Sequence, residues 1–249
     1  MAINKSTLRT VDILELIANN NDLTLTEISE ALKIPPASTS DILQALLSKQ
    51  MVEIANQRAR TYKIGVKNFL IGNAYLANIN IVEIAAPFIA ALSEQTKNTV
   101  FLAKIIDSSI VYLHKVEPKD TFVSTCQIGS RAGLSVTALG KVILAYNEWL
   151  QEKVFATPLP KITEYSITDA EQLKVQLSQI RQQKYASDKF EYDERISCVG
   201  FPIFDQRGRV EHSISISGSH FESRDMEREI ELGIKCAKEI SMRLGFLEQ

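Results

Sequence analysis

The chain has 249 residues, 45% of them hydrophobic and 23% charged, with a net charge of −2. That length suits two domains, one small and one of ordinary size, and the composition is globular without low-complexity tracts. No apolar run approaches the ~20 residues that span a bilayer, and Met-Ala-Ile-Asn-Lys-Ser at the start is too polar for a signal peptide. Three widely spaced cysteines, Cys126, Cys198 and Cys236, argue against a disulfide framework and place the chain in a reducing cytoplasm.

Ser6 is positioned to cap a first helix whose Leu8, Val11, Ile13, Leu14, Leu16 and Ile17 form a broad apolar face. Asn19-Asn20-Asn21-Asp22 reads as a turn, after which Thr24 or Thr26 starts a second helix with Ile28, Ala31 and Leu32 inward. Pro35-Pro36 blocks its continuation, and Ser38 or Thr39 lies at the start of a third helix. There Ile42, Leu43, Leu46 and Leu47 recur at helical spacing, leaving Ser38, Thr39, Ser40, Asp41 and Gln44 outward. Two short strands follow, Met51–Ala55 and Arg60–Ile64, around Asn56-Gln57.

Two amphipathic helices, a turn and a hairpin in this order predict a winged helix-turn-helix over residues 1–65, whose common use is to place a helix in the major groove of duplex DNA. Residues 1–65 carry seven Lys or Arg and seven Asp or Glu, so the unit is neutral, which counts against tight non-specific binding. The positive charge is concentrated, however. Lys49, Arg58, Arg60, Lys63 and Lys67 face only Glu53, placing cations on the hairpin where a wing touches phosphates. Ser38, Thr39, Ser40 and Gln44 have suitable chemistry for phosphates and base edges, and each could equally be a cap or a solvated polar residue.

Gly65 breaks the pattern. Val66–Asn78, with Phe69, Leu70 and Leu76, reads as a linker helix over 66–79 whose apolar residues suit pairing of two chains. Residues 80–249 read as mixed α and β. Helices are expected at Ile84–Thr96, Ala138–Asn147, Ala170–Gln183 and Ser223–Phe246. Strands are expected at Thr99–Ile105, Ser109–Val116, Phe122–Ile128, Cys198–Phe204 and Val210–Ser217. Consecutive strands between helices predict an α+β domain with an antiparallel sheet flanked by helices.

Two runs in this second part carry a resemblance. Gly129-Ser-Arg-Ala-Gly-Leu-Ser-Val-Thr-Ala-Leu-Gly-Lys-Val-Ile-Leu-Ala145 resembles the effector-domain signature of the IclR family of bacterial transcriptional regulators. So does Cys198-Val-Gly-Phe-Pro-Ile-Phe-Asp205, followed by Ser213-Ile-Ser-Ile-Ser-Gly218. The resemblance covers essentially the whole chain. It implies a cytoplasmic homodimer or dimer of dimers that binds an operator through the winged helix. It also implies a GAF-like domain that binds a small metabolite and requires no cofactor. The family's pocket corresponds here to Ala138, Leu139, Asp188, Ile196, Cys198, Ser215 and Ser217. Two positions depart from the family pattern: Asp41 stands where a recognition helix commonly has Arg, and Arg195 where Gly is usual.

The residues themselves leave alternatives open. Period-2 alternation puts Ser215 and Ser217 on one face of a strand and Ile214 and Ile216 on the other, so the hydroxyls line either a polar cavity or a solvated surface. Cys198 is a pocket residue or a small buried hydrophobe. Asp188 is a ligand group or a solvated acid in a charged loop. Thr137 is a plausible N-cap for the Ala138 helix, whose free N–H groups suit a carboxylate. With the serines and Arg195, this suggests a small anionic effector such as a keto or sugar acid. His114, His212 and His220 show no metal spacing, although zinc held by Cys198 and a distant His remains conceivable. A thiol enzyme or redox sensor built on Cys198 is the alternative class. It lacks any feature that would activate the thiol, since Cys198 falls inside a strand.

Overall fold

The structure, a computed structural model, describes residues 4–20, 22–77, 80–118, 126–219 and 225–247. The chain forms two compact units, 1–78 and 79–249.

The first unit begins with α1 (Lys5–Asn19), β1 (Leu23–Thr24) and α2 (Leu25–Leu32), followed by α3 (Pro36–Ser48), β2 (Val52–Asn56), β3 (Thr61–Ile64) and α4 (Val66–Ala77). Asn4, not Ser6, caps α1: its Oδ1 accepts from Ser6 N at 2.9 Å and Thr7 N at 3.2 Å, so Ser6 sits inside the first turn. Thr24 caps α2 in a reciprocal box with Glu27, satisfying two donors that the helix start leaves open. α3 begins at Pro36, two residues before Ser38, because proline at the first helical position gives up an N–H that would have no partner anyway. The three strands pair antiparallel in the order β1-β3-β2. Ile13, Ile17, Ile28, Ile34, Leu43, Leu46, Val52 and Tyr62 form the core of this unit. At the hairpin tip Asn56 Oδ1 accepts from Arg58 N and Ala59 N, and Arg60 turns the chain at φ 50°.

The second unit contains α5 (Ile81–Thr96), β4 (Thr99–Ile106), β5 (Ser109–Val116), β6 (Arg131–Ala132), α6 (Ala138–Ala145) and α7 (Glu148–Phe155). It continues with α8 (Ala170–Gln183), β7 (Ala186–Lys189), β8 (Ser197–Phe204), β9 (Val210–Gly218) and α9 (Met226–Arg243). Six antiparallel strands run in the order β6-β5-β4-β9-β8-β7. One sheet face packs Val100, Leu102, Val199, Phe201, Ile214 and Ile216 against α5 and α9. The other carries Phe101, Ala103 and Tyr112 into a core with α6, α7 and α8.

Three differences from the sequence reading stand out. α7 was not foreseen. Of the strand expected at Phe122–Ile128, residues 122–125 lie outside the described residues, and Cys126–Ile128 is not strand. Asp188 lies in β7, not in a solvated loop. No residue of Ala186-Ser-Asp-Lys189 is β-branched, and pairing along β8, Ala186 with Gly200 and Asp188 with Cys198, makes the strand.

Gly200 lets the start of α6 come down onto β8. A Cβ there would lie 2.6 Å from the Ala138 carbonyl oxygen. Ser213 Oγ on the neighbouring strand donates to the Leu139 carbonyl at 3.1 Å, fixing the same contact. Gly200→Ala is expected to destabilise the second unit by about 1–3 kcal/mol, because backbone must move to make room. Urea unfolding checks this, and an unchanged midpoint would mean that the helix start is not held at this distance.

Candidate functional site

Sheet register builds a polar row. Asp188 pairs with Cys198, Cys198 with Ser217, and Ser217 with Thr99, so four strands bring these side chains to one face. Cys198 Sγ donates to Ser217 Oγ at 3.3 Å. Ser213, Ser215 and Ser217 are all buried, which removes the solvated-strand reading. Above this row stands the start of α6. Thr137 caps it, accepting from Gly140 N at 3.0 Å while donating to the Gly133 carbonyl at 2.9 Å. The next N–H groups, of Ala138 and Leu139, have no acceptor among the described residues.

Between helix start and sheet lies a cavity of about 390 Å3. Ala138, Leu139, Asp188, Ile196, Cys198, Ser215 and Ser217 all line it. Phe101 and Tyr112, packed at 5.2 Å between ring centroids, add an apolar wall, and Cys126, Thr137, Ile162, Tyr192 and Asp193 complete the lining. The charged side chains among these are the two carboxyls, Asp188 and Asp193; Arg195 is not a lining residue. Asp193 binds the Arg195 guanidinium at 2.8 and 3.0 Å, and this hydrogen bonding holds its carboxyl below the usual range. Arg195 therefore does not supply the charge inside the pocket that its position in the sequence suggested. Burial pushes Asp188 up to about 7, against the opposing pull of the Glu191 N–H and the Lys141 charge. Burial also raises the Tyr112 phenol above its ordinary value.

A thiol mechanism gains nothing from this arrangement. His212 does not line the cavity, and burial, followed by the Lys104 charge, pushes its imidazole down to about 4. His220 lies outside the described residues. Among the described residues no group of three His, Cys, Asp or Glu side chains is placed to hold a metal ion. No helix is long and apolar enough to cross a membrane, among the same residues.

In the first unit, Asp41 and Gln44 of α3 are exposed and Ser38 and Ser40 half-buried. Thr39 is a correction. It is wholly buried, and its Oγ1 donates to the Pro35 carbonyl at 3.2 Å, closing the turn that starts α3. Its side chain offers nothing to a nucleic acid. Arg58 and Arg60 are exposed at the hairpin tip.

Residues 73–242 match the model of the bacterial transcriptional regulator IclR C-terminal domain, and residues 6–54 match the IclR helix-turn-helix domain. The chain belongs to the IclR family. It is 30% identical to the HTH-type transcriptional regulator BhcR of Paracoccus denitrificans, over 95% of this chain and 86% of that one. Identity to the HTH-type transcriptional regulator KdgR of Escherichia coli is 28%, over 97% and 93%. The crystal structure of the Agobacterium tumefaciens repressor BlcR superposes with a TM-score of 0.82 at 26% identity, covering 97% of each chain. This protein is thus an IclR-family transcriptional regulator, with an N-terminal helix-turn-helix domain and a C-terminal effector domain of mixed α and β structure.

The IclR resemblance found seven cavity residues and missed seven others. Tyr192 and Asp193 lay within reach, four and five residues beyond Asp188 in the same charged stretch. Thr137 was visible as a cap but not as a wall. Phe101, Tyr112 and Cys126 come from another part of the sheet region and Ile162 from a loop, and no local pattern ties them to the others.

Asp188 gives the domain a pH signature. Its folded value, about 7, lies above the ordinary 3.8, so the stability it contributes is fully present below pH 3.8 and is lost as pH rises through about 7. Asp188→Asn removes the buried charge. It is expected to raise the melting temperature, relative to the unsubstituted protein, more at pH 8 than at pH 5. Calorimetry at both pH values checks this; an equal shift would show that Asp188 does not titrate as a buried carboxyl.

Proposed function

We propose that this regulator is a cytoplasmic repressor, working as a homodimer or dimer of dimers, whose affinity for duplex operator DNA is set by a small hydroxylated acid bound in the C-terminal cavity. The observation that carries this reading is the cavity itself. Its volume falls in the range of small-molecule sites, and its lining combines polar groups with aromatic side chains. The unpartnered N–H groups of Ala138 and Leu139 suit a carboxylate, since a helix start carries partial positive charge. Ser215, Ser217 and Asp188 suit hydroxyl or keto oxygens, and the effector's carbon chain packs on Phe101 and Tyr112. With no basic side chain among the described lining residues, the helix start is the anion-binding element. Two relatives support repression: the transcriptional repressor AllR of Salmonella typhimurium and the Agobacterium tumefaciens repressor BlcR.

DNA binding requires two half-sites, because one neutral unit with a few exposed cations contacts too few phosphates for useful affinity. α4 suits the pairing. Val66, Phe69, Leu70 and Ile71 expose 55–67% of their surface, more apolar area on one short helix than a solvated linker needs. In the winged helix, Ser38, Ser40 and Gln44 face the groove and Arg58 and Arg60 the backbone. Arg58→Ala with Arg60→Ala is expected to weaken binding to all duplex sequences alike and to lower the salt slope by about one unit per arginine in each half-site. Fluorescence anisotropy across a salt series reads both effects, and sedimentation of the same sample should give a dimer. Normal operator binding at physiological salt, or a monomer at micromolar concentration, would remove the assignment concerned.

A thermal-shift screen with D-gluconate and pyruvate, as hydroxy-acid and keto-acid probes, tests the cavity, because a ligand that binds only the native state raises its apparent stability. For the acid that binds, Ser215→Ala with Ser217→Ala is expected to cost about fivefold in Kd per hydrogen bond lost, with operator binding intact. Calorimetry measures the change; an unaltered Kd would place the effector elsewhere.

A further inference from the structure

Three walls of the cavity converge on a buried pair, Lys141 and Glu191, that is not among its lining. Lys141, the fourth residue of α6, is wholly buried, and its Nζ lies 2.6 Å from Glu191 Oε1 and 3.2 Å from Gln176 Oε1 on α8. Glu191 is buried as well. Its N–H donates to Asp188 Oδ1 at 2.8 Å. Its carbonyl accepts from Ser166 Oγ at 2.8 Å and Thr163 Oγ1 at 3.2 Å, and Thr163 Oγ1 also donates to the Phe190 carbonyl at 2.8 Å. Ser166 Oγ accepts in turn from Ile162 N at 3.0 Å. The start of α6, the 188–196 segment and the loop carrying Ile162 each supply cavity lining, and all three are tied to Glu191.

Stability alone does not account for such a pair. Desolvating two charges offsets most of their attraction, and apolar side chains of similar volume commonly do as well. Glu191 Oε2 is moreover buried without a hydrogen-bond partner among the described residues, a further cost. What the pair does supply is a fixed distance between helix and wall.

We infer that Glu191, clamped by Lys141, is a positioning residue for the effector: it holds the 188–196 wall and the Ile162 loop against the start of α6 and so sets the shape of the space the effector fills. This rests on the cavity being the effector site. The test reads the wall directly, so its failure is separate from failure of the metabolite screen.

The probe is iodoacetamide, with alkylation of each cysteine followed by peptide mass spectrometry. Cys198 lines the cavity, while Cys236 packs in the core on the other sheet face and serves as internal control. In Lys141→Met with Glu191→Met the charges leave together and the volume stays, so the melting temperature should remain within about 5 °C of the unsubstituted protein. Cys198 should nevertheless react roughly tenfold faster, with Cys236 unchanged, because the wall has lost its anchor. Equal Cys198 rates in the two proteins overturn the inference. So does a rise shared by Cys198 and Cys236, which would mean general loosening. If the double variant does not fold, Thr163→Val decides. It takes the loop's hydroxyl from the Phe190 carbonyl and leaves Ser166 alone to hold the Glu191 carbonyl, without stranding a charge, and an unchanged Cys198 rate in that variant overturns the inference equally.

Discussion

The seating of one helix start on the sheet is the constraint on which the rest of the effector domain depends. α6 meets β8 at Gly200, where a side chain would strike the Ala138 carbonyl, and it is pinned to β9 by Ser213. A helix that starts this close to a sheet leaves its first N–H groups facing a gap of about 390 Å3. The cavity is that gap. Thr137 satisfies Gly140 and the backbone satisfies Lys141, so the donors left over belong to the two residues at the cavity edge.

The sheet separates two chemistries. On one face Ile214 and Ile216 join an apolar core with α5 and α9; on the other, alternation delivers Ser213, Ser215 and Ser217 to the side where α6 sits. Buried hydroxyls need partners, and two find them within the domain, at the Leu139 carbonyl and at the Cys198 thiol. Asp188 completes the row at the cost of burial, which is why its carboxyl holds a proton so far above the ordinary carboxylate range. A polar row of this kind adds little to stability, since each hydroxyl gives up water for one contact. Its arrangement suits the recognition proposed for the cavity.

The DNA-binding unit rests on a different balance. Its net charge is zero over residues 1–65, so attraction to phosphate comes from the placement of a few arginines and lysines on and after the hairpin. On the proposed reading, this weak, local attraction makes specificity depend on pairing two units and on the polar residues of α3. Asp41, exposed on that helix, adds a negative charge on the same surface.

By itself the sequence determined the elements with strong periodicity or punctuation. The four helices of the first unit, the hairpin, the β4–β5 and β8–β9 pairs and the long last helix were legible because apolar spacing and turn residues are local. Family motifs in the sequence also named Ala138, Leu139, Asp188, Ile196, Cys198, Ser215 and Ser217, which the fold brings to one cavity. Tertiary structure decided what depends on neighbours distant in the chain. β7 has no strand propensity of its own and exists because β8 offers an edge. Thr39 has the polarity of a surface residue and is buried because it shares the inward stripe of α3 with Leu43 and Leu46. Arg195 reads as a pocket cation but is neutralised by Asp193, two residues away. Lys141 and Glu191, fifty residues apart, look like two solvated charges in the sequence, and only the closed domain makes them a buried pair.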